Sequence, residues 1–454
     1  MVRAGATDPG PEKTSSIVRR IAIATTLVCV WCLSGPGTRG DDGPEQPARP
    51  LILAHYMPWF QTKDVGGTWG WHWTMGHFDP ERSDPTGRRD IASHHYPLIG
   101  PYDSADPDVL EYHALLMRIA GIDGVIADWY GSEDVNDYAM IHRRTASLFD
   151  ALGRRGLKFA VCYEDRVLKL LAERWSLSPE QAVEHARTHL RFCEATWFEA
   201  PGYVTWRGKP LLLVFGPESL RPAQWEELFS GLRRPPAFFT LHERRPPAIG
   251  SFAWPPMWAA KGGVLDAEGL DEYLDRFDGR DGVKIGGAFP GFHDIYQQAG
   301  VQPSHGTLDP RAGATFRHTL DRALRSGGPF VQVITWNDFG EGTDVEPTRE
   351  FGYRHLEAIQ RARQSLAGEP LVYRPADLRL PQRIHRLRER VARSSPRGKA
   401  LDEVVDLLFA ADVARASQRL DQLERAAASP PAPAQCRPES GRGSSPFDAA
   451  SQHQ

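Results

Sequence analysis

The sequence predicts a (β/α)8 barrel with a C-terminal helical extension. Eight β-type apolar runs, helical patterns between most of them, and aromatic and acidic residues repeated just after the runs predict it. The expected strands are Leu51–Tyr56, Gly124–Trp129, Lys158–Tyr163, Pro210–Phe215, Ala237–His242, Ser251–Trp254, Lys284–Phe289 and Phe330–Trp336. Several are near-continuous apolar runs, as parallel strands covered on both faces should be. The expected helices are Asp106–Ala120, Val135–Arg155, Pro179–Trp197, Glu218–Leu232, Ala267–Phe277 and Ala314–Ser326. In the first, Val109, Leu110, His113, Leu116, Met117 and Ala120 share one side. The stretch Arg244–Gly250 is too short to hold a helix. The alternative architecture is an open doubly wound sheet. No glycine-rich phosphate fingerprint follows an early strand, which argues against it.

The barrel spans residues 51–367 of the 454. Ahead of it, Arg19 and Arg20 precede an apolar run, Ile21–Leu33, and the small residues Ser34 to Gly37. That order reads as a secretory signal over residues 1–38, with an uncleaved anchor as the alternative. Residues 39–50 read as a Pro-rich linker. An extension over 368–428 holds two helical patterns, Asp377–Arg393 and Ala400–Ala427. Residues 429–454 are rich in Pro, Ala, Ser, Gly and Gln and read as a disordered tail.

Composition narrows the function. The 54 basic residues are balanced by 58 acidic ones, giving a net charge of -4. Nucleic-acid domains carry a clear basic excess, so no nucleic-acid partner is expected. Contact with a membrane is expected only through the signal or anchor. Five cysteines are too few for a disulfide framework, and Cys29, Cys32 and Cys436 fall in the two ends. No paired CxxC arrangement suggests a structural metal, and no second ligand stands at suitable spacing from His72. No metal or cofactor is expected. Oligomeric state is left open.

In a barrel, chemistry gathers where strands end and βα loops begin. Strand one ends in His55, Tyr56 and Trp59, and its long loop carries Trp71, His72 and Trp73. Strand two ends in Asp128, Trp129 and Tyr130, and strand three in Tyr163 and Glu164. Asp294 follows strand seven; Trp336, Asn337, Asp338 and Glu341 follow strand eight. Aromatic faces stack on the apolar C–H patch of a sugar ring. Carboxylates bind hydroxyls through charge-assisted hydrogen bonds and transfer protons. A pit lined by both is expected to take an oligo- or polysaccharide.

Asp338 and Glu341 are the expected catalytic pair. They stand three residues apart, with Gly340 and Gly342 permitting a tight turn. Glycoside cleavage needs one carboxylic acid at the leaving oxygen and a second carboxylate at the sugar. A nearby Asp338 would raise the pKa of Glu341 and keep it protonated.

The run from Val331 to Thr343, followed by Glu346 and Pro347, resembles the signature of glycoside hydrolase family 99, the endo-α-mannosidases. That signature reads Asn-Glu-Trp-x-Glu-Gly-Thr with a downstream Glu-Pro. The wording from Trp336 to Glu341 is also similar to family 71, the α-1,3-glucanases. Further resemblance lies in Tyr56 to Trp59, Trp71 to Trp73, Pro101–Tyr102, Ala120 to Val125, Trp129–Tyr130, Gly208 to Leu212 and Pro290 to Asp294. The resemblance implies a (β/α)8 barrel and a retaining, metal-independent reaction in which the substrate's own 2-hydroxyl attacks through an epoxide. Carried over by motif, Asp338 deprotonates that hydroxyl and Glu341 is the acid/base. Here Asp stands where the family has Glu, one methylene shorter. His55, Tyr56, Trp59, Trp71, His72, Trp73, Asp128, Trp129, Tyr130, Tyr163, Glu164, Asp294, Trp336 and Asn337 are expected to bind substrate. A secreted hydrolase of α-linked glycans follows, endo-acting on α-mannosides. The alternatives are an α-1,3-glucanase-like enzyme and a barrel that binds glycan without cleaving it. A peptide or ester substrate finds little support, because no Gly-x-Ser-x-Gly turn ends a strand.

Overall fold

The computed structural model describes residues 49–367 and 372–428. The expected signal, most of the linker and the tail lie outside these residues. The barrel strands are β1 (Leu51–Tyr56), β2 (Gly124–Trp129), β3 (Lys158–Tyr163), β4 (Lys209–Val214), β5 (Ala237–Leu241), β6 (Gly250–Phe252), β7 (Val283–Ala288) and β8 (Phe330–Val333). Each pairs in parallel with the next, and β8 closes the ring on β1, with Leu51 opposite Phe330 and Ala54 opposite Val333. The sheet is therefore the closed barrel the sequence predicts.

Helices cover the ring: α1 (Pro107–Ala120), α2 (Tyr138–Arg154), α3 (Val167–Trp175), α4 (Pro179–Cys193), α5 (Pro222–Ser230), α6 (Ala267–Asp278), α7 (Ala314–Arg325) and α8 (Arg354–Ala367). Local chemistry sets their ends. Asp106 caps α1 by accepting from the Asp108 amide, and Pro107 stands in the first turn, where its missing N–H costs nothing. Ser178 and Gln181 form a reciprocal capping box at the start of α4. On the barrel's outer face, Gly286 of β7 lies so close to α7 that an added Cβ would stand 2.8 Å from Ala323.

Some elements differ from expectation. Between β3 and α4 lies α3, whose buried Leu168 and Leu171 share one face over only nine residues, too short a stretch to stand out as a period. The strand expected to reach Trp336 ends at Val333, because the chain turns there: the Trp336 amide bonds the His55 carbonyl and the Thr335 amide bonds the Thr343 carbonyl. The helix expected over 377–393 begins as a 3-10 turn, Pro375–Arg379, and continues as α9 (Leu380–Arg388). The helix expected over 400–427 is two, α10 (Pro396–Phe409) and α11 (Val413–Ala428), broken at Ala411, whose φ is +62°. These helices build a second small core in which Leu380, Ile384, Leu401, Val404, Leu408 and Leu420 pack with Leu115 of α1. Among the described residues no helix is long and apolar enough to cross a membrane.

Candidate active site

A cavity of 570 Å³ opens at the C-terminal ends of the strands. Strand alternation decides which side chains reach it, because neighbours on a strand point to opposite faces. His55 of β1 and Asp128 of β2 point inward and line it, as does Glu164, just beyond β3. Tyr56, Trp129 and Tyr163, one position away, point outward to the helices. The Tyr56 hydroxyl meets His113 Nδ1 of α1 at 2.9 Å, the Trp129 indole bonds His142 of α2, and the Tyr163 hydroxyl meets His189 of α4 at 2.8 Å. These three expected substrate contacts therefore lie away from the cavity.

The same holds for four others. Trp73 is buried in the loop interior, with its indole donating to the Tyr102 carbonyl. Its ring stacks 5.6 Å from Phe339. Trp336 is fully buried and meets His113 edge-on. Asn337 joins two loops: its Oδ1 accepts from the Met57 amide at 2.8 Å, and its Nδ2 donates to the Met57 carbonyl and to the Tyr102 hydroxyl. Asp294 organises the loop after β7, accepting from the Tyr296 and His305 amides and the Ser304 hydroxyl. Trp59, Trp71, His72 and Tyr130 do line the cavity. Trp59 and His72 stack with ring centres 4.0 Å apart, and His72 reaches Asp137 at 3.2 Å.

Asp338 and Glu341 line the same cavity, on the loop after β8. The Glu341 amide donates to Asp338 Oδ1 at 3.0 Å, and the Asp338 amide donates to the Thr335 hydroxyl at 2.7 Å. Gly342 completes the turn with φ +64°, where a Cβ would meet the His293 carbonyl at 2.8 Å. Asp338 is buried and Glu341 partly buried beside Asp128 and Glu164, so four carboxylates share one pit. Burial, followed by the charge of Asp128, pushes Asp338 up to about 7. Burial and Asp338 push Glu341 well above the usual carboxylate range. Burial and Asp128 do the same to Glu164, opposed by Arg166, whose Nε stands 3.1 Å from Glu164 Oε2. Glu341 Oε1 accepts from the Tyr296 hydroxyl at 3.4 Å, while the buried Oε2 has no protein partner. An acid kept protonated, with one oxygen unengaged, is equipped to give a proton to a ligand atom.

At the barrel centre, His55, Asp128 and Cys162 form the one grouping of metal-ligating type among the described residues, their ligand atoms within 4.8 Å of one another. His55 Nε2 and Asp128 Oδ1 are buried without hydrogen-bond partners and stand 3.9 Å apart. Donors and acceptors left unpaired at a cavity floor suit sugar hydroxyls, which both give and accept.

Several lining residues were not singled out from the sequence: Arg166, His242, Trp254, Trp258, Tyr296 and His305. Arg166, His242 and Trp254 stand at strand ends, so their position was the available signal. Trp258, Tyr296 and His305 come from loop interiors, where no period marks a side chain. The downstream Glu346 is buried and does not reach the cavity; it accepts from the Tyr102 hydroxyl at 2.7 Å and stands 3.3 Å from His113.

Residues 49–233 match the model of glycosyl hydrolase family 99. A glycoprotein endo-alpha-1,2-mannosidase-like protein of Danio rerio is 24% identical over 340 residues, 67% of this chain and 73% of the relative. The glycoprotein endo-alpha-1,2-mannosidase of Mus musculus is 26% identical over 332 residues, 66% of this chain and 68% of its own length. The GH99 endo-alpha-mannosidase from Bacteroides thetaiotaomicron shares the fold with a TM-score of 0.53 at 18% identity, covering 70% of this chain and 98% of that one. The match over residues 49–233, the relatives and the shared fold agree: the chain is a glycoside hydrolase, and it is similar to family 99 over the first part of its barrel.

Proposed function

We propose that the protein cleaves α-linked mannosides within a glycan chain, with Glu341 as acid/base and Asp338 as the carboxylate facing the sugar. One observation carries the reading: two acids on one turn, Asp338 buried and Glu341 partly buried, line one aromatic-walled cavity, and both are pushed toward the protonated form. Burial and the neighbouring Asp338 favour the protonated form of Glu341, the form an acid at the leaving oxygen needs. Glu341 then protonates the leaving glycosidic oxygen. Asp338 takes the proton of the 2-hydroxyl as that oxygen closes on the anomeric carbon; water, giving a proton to Glu341, then attacks the anomeric carbon, and as the ring C–O bond breaks Asp338 returns its proton to the 2-oxygen. His55, Asp128 and Glu164 hold hydroxyls of the reacting sugar, and Trp59, Trp71 and Tyr130 offer it apolar faces. The mannoside preference is supported by the relatives; the shorter Asp338 makes α-1,3-glucan the competing substrate to test.

Glu341→Gln should lower hydrolysis by about 10²–10⁴-fold, the usual weight of a positioned proton donor, while melting stays cooperative. The assay is product release from α-mannan, α-1,3-glucan and N-glycan fragments. Activity retained in this variant removes Glu341 from the reaction. Export belongs to the same proposal, supported by Arg19, Arg20 and the apolar run Ile21–Leu33. The N-terminal residue of protein recovered outside the cell checks it.

A further inference from the structure

On the barrel rim, the residues after β5 and β6 form a structure that the proposed chemistry does not use. His242 follows β5 in the left-handed region, φ +58°, which non-glycine residues adopt at a cost and mostly where surroundings fix them. Its amide donates to the Phe252 carbonyl at the end of β6, and its carbonyl accepts from Arg280. The Tyr273 hydroxyl of α6 joins the two loops: the Trp254 amide donates to it at 3.4 Å, and it stands 2.9 Å from His242 Nδ1. With the phenol O–H donating to Nδ1, the ring is the Nε2–H tautomer, and that N–H is left as a donor. Burial and Arg280 hold this histidine down to about 4, so it stays neutral at working pH. Trp258 stands over the group, its ring centre 6.2 Å from both His242 and Tyr273 and perpendicular to each. Its accessibility is 63%, the highest of the exposed tryptophans among the described residues.

An apolar ring this exposed, backed by a hydrogen-bonded support and bordering a sugar-type cavity, suits a ligand surface better than a packing role. Its place in the ring gives it meaning. The order is β6, β7, β8, β1, so the loop bearing Asp338 and Glu341 lies between the sector of Trp258 and that of Trp71. Trp71 is also about half-exposed.

Resting on the proposed hydrolase reading, we infer that Trp258 and His242 form an outlying pyranose subsite. Trp258 stacks on the apolar face of a sugar at least one unit from the cleaved bond, and His242 Nε2–H donates to one of its hydroxyls. The bound glycan then runs past the acid pair in both directions, which selects oligosaccharides over single terminal residues. The test uses labelled α-mannan oligosaccharides from the shortest one cleaved up to the hexasaccharide. Trp258→Ala should cost ten-fold or more in kcat/KM on the hexasaccharide relative to the shortest substrate, and Trp258→Phe should recover part of it. His242→Ala should show the same length dependence. In a Glu341→Gln background, adding Trp258→Ala should weaken hexasaccharide binding ten-fold or more by calorimetry. An equal loss at every length, or no loss with binding unchanged, overturns the subsite. Wild-type protein that binds the hexasaccharide without cleaving it overturns the hydrolase reading instead, and the binding arm still reports on Trp258.

Discussion

Asp338 is where the chemistry weighs most on stability. Burial raises its pKa from 3.8 to about 7, so between these values the folded state holds a proton that the unfolded chain has released. Stability therefore falls as pH rises from about 4 to 7. The loss is largest above 7, reaching as much as ~4 kcal/mol for about three pH units. Asp338→Asn removes the titration. The variant should melt at a nearly unchanged temperature near pH 4, above the wild type at pH 8, and should lose hydrolysis. Thermal melts of both proteins from pH 4 to 8 check this; parallel curves would show that Asp338 ionises freely in the fold. The elevated pKa was anticipated for Glu341 from its neighbour. For Asp338 it arises mainly from burial next to Asp128, a residue 210 positions earlier whose proximity only the closed barrel creates. Three of the residues that lie away from the cavity, Tyr56, Trp129 and Tyr163, share one physical reason. His55 and Tyr56, Asp128 and Trp129, and Tyr163 and Glu164 are neighbours on their strands, and only one of each pair can face the pit. Applying that alternation outward from Asp128 would have separated them from sequence alone.

At the scale of elements, the loop after β8 is held to the loop after β1 by a buried chain of polar contacts. Asn337 bonds both backbone groups of Met57 and the Tyr102 hydroxyl; Tyr102 bonds Glu346; Glu346 faces His113; and His113 meets Tyr56. Motif pieces far apart in sequence converge here, so much of the signature from Asn337 to Glu346 secures the frame that positions the acids. Asn337→Ala leaves the buried Met57 amide and carbonyl without these partners. It should destabilise by about 1–3 kcal/mol and lower turnover more than binding, because Asp338 and Glu341 lose their anchor. Denaturant midpoints and separate kcat and KM values test both parts. Full activity in this variant would make the anchor dispensable. Strands and long helices were legible because each has its own period. The nine-residue α3 and the break at Ala411 were not, because each rests on contacts outside its own window. His242 shows the same limit: its left-handed backbone depends on Arg280 and Tyr273, which arrive with the next βα unit.

Across the whole molecule, one buried cation ties the helical extension to the barrel. Arg388 of α9 is almost fully buried; its Nε and Nη2 reach both oxygens of Glu111 on α1 at 2.9 and 3.1 Å, and Nη2 also reaches Asp402 on α10 at 2.6 Å. Its Nη1 donates to the Gly398 carbonyl. The guanidinium fork thus joins α9 and α10 to a barrel helix, beside the apolar contact of Leu115 with the extension's core. Asp402 is half-exposed and finds water without Arg388, whereas the Glu111 side chain is 9% exposed and keeps only a contact with Arg393 at 3.4 Å. Removing the cation therefore strands a charge on the barrel side. Arg388→Ala should cost about 3–5 kcal/mol, the usual penalty for breaking a buried pair from one side. Replacing both ends, Glu111→Leu with Arg388→Met, should cost much less than the sum of the single changes, because no charge is left unpaired. A double-mutant cycle by denaturant unfolding measures the difference. Additive costs would mean that Arg388 and Glu111 are not coupled and that the extension is held by its other contacts. The α1 helix that presents Glu111 outward also presents His113 inward to Glu346, two residues away on the chain. A loosened extension should therefore reach the loop after β8, and Arg388→Ala should lower turnover along with stability, although Arg388 lies outside the cavity.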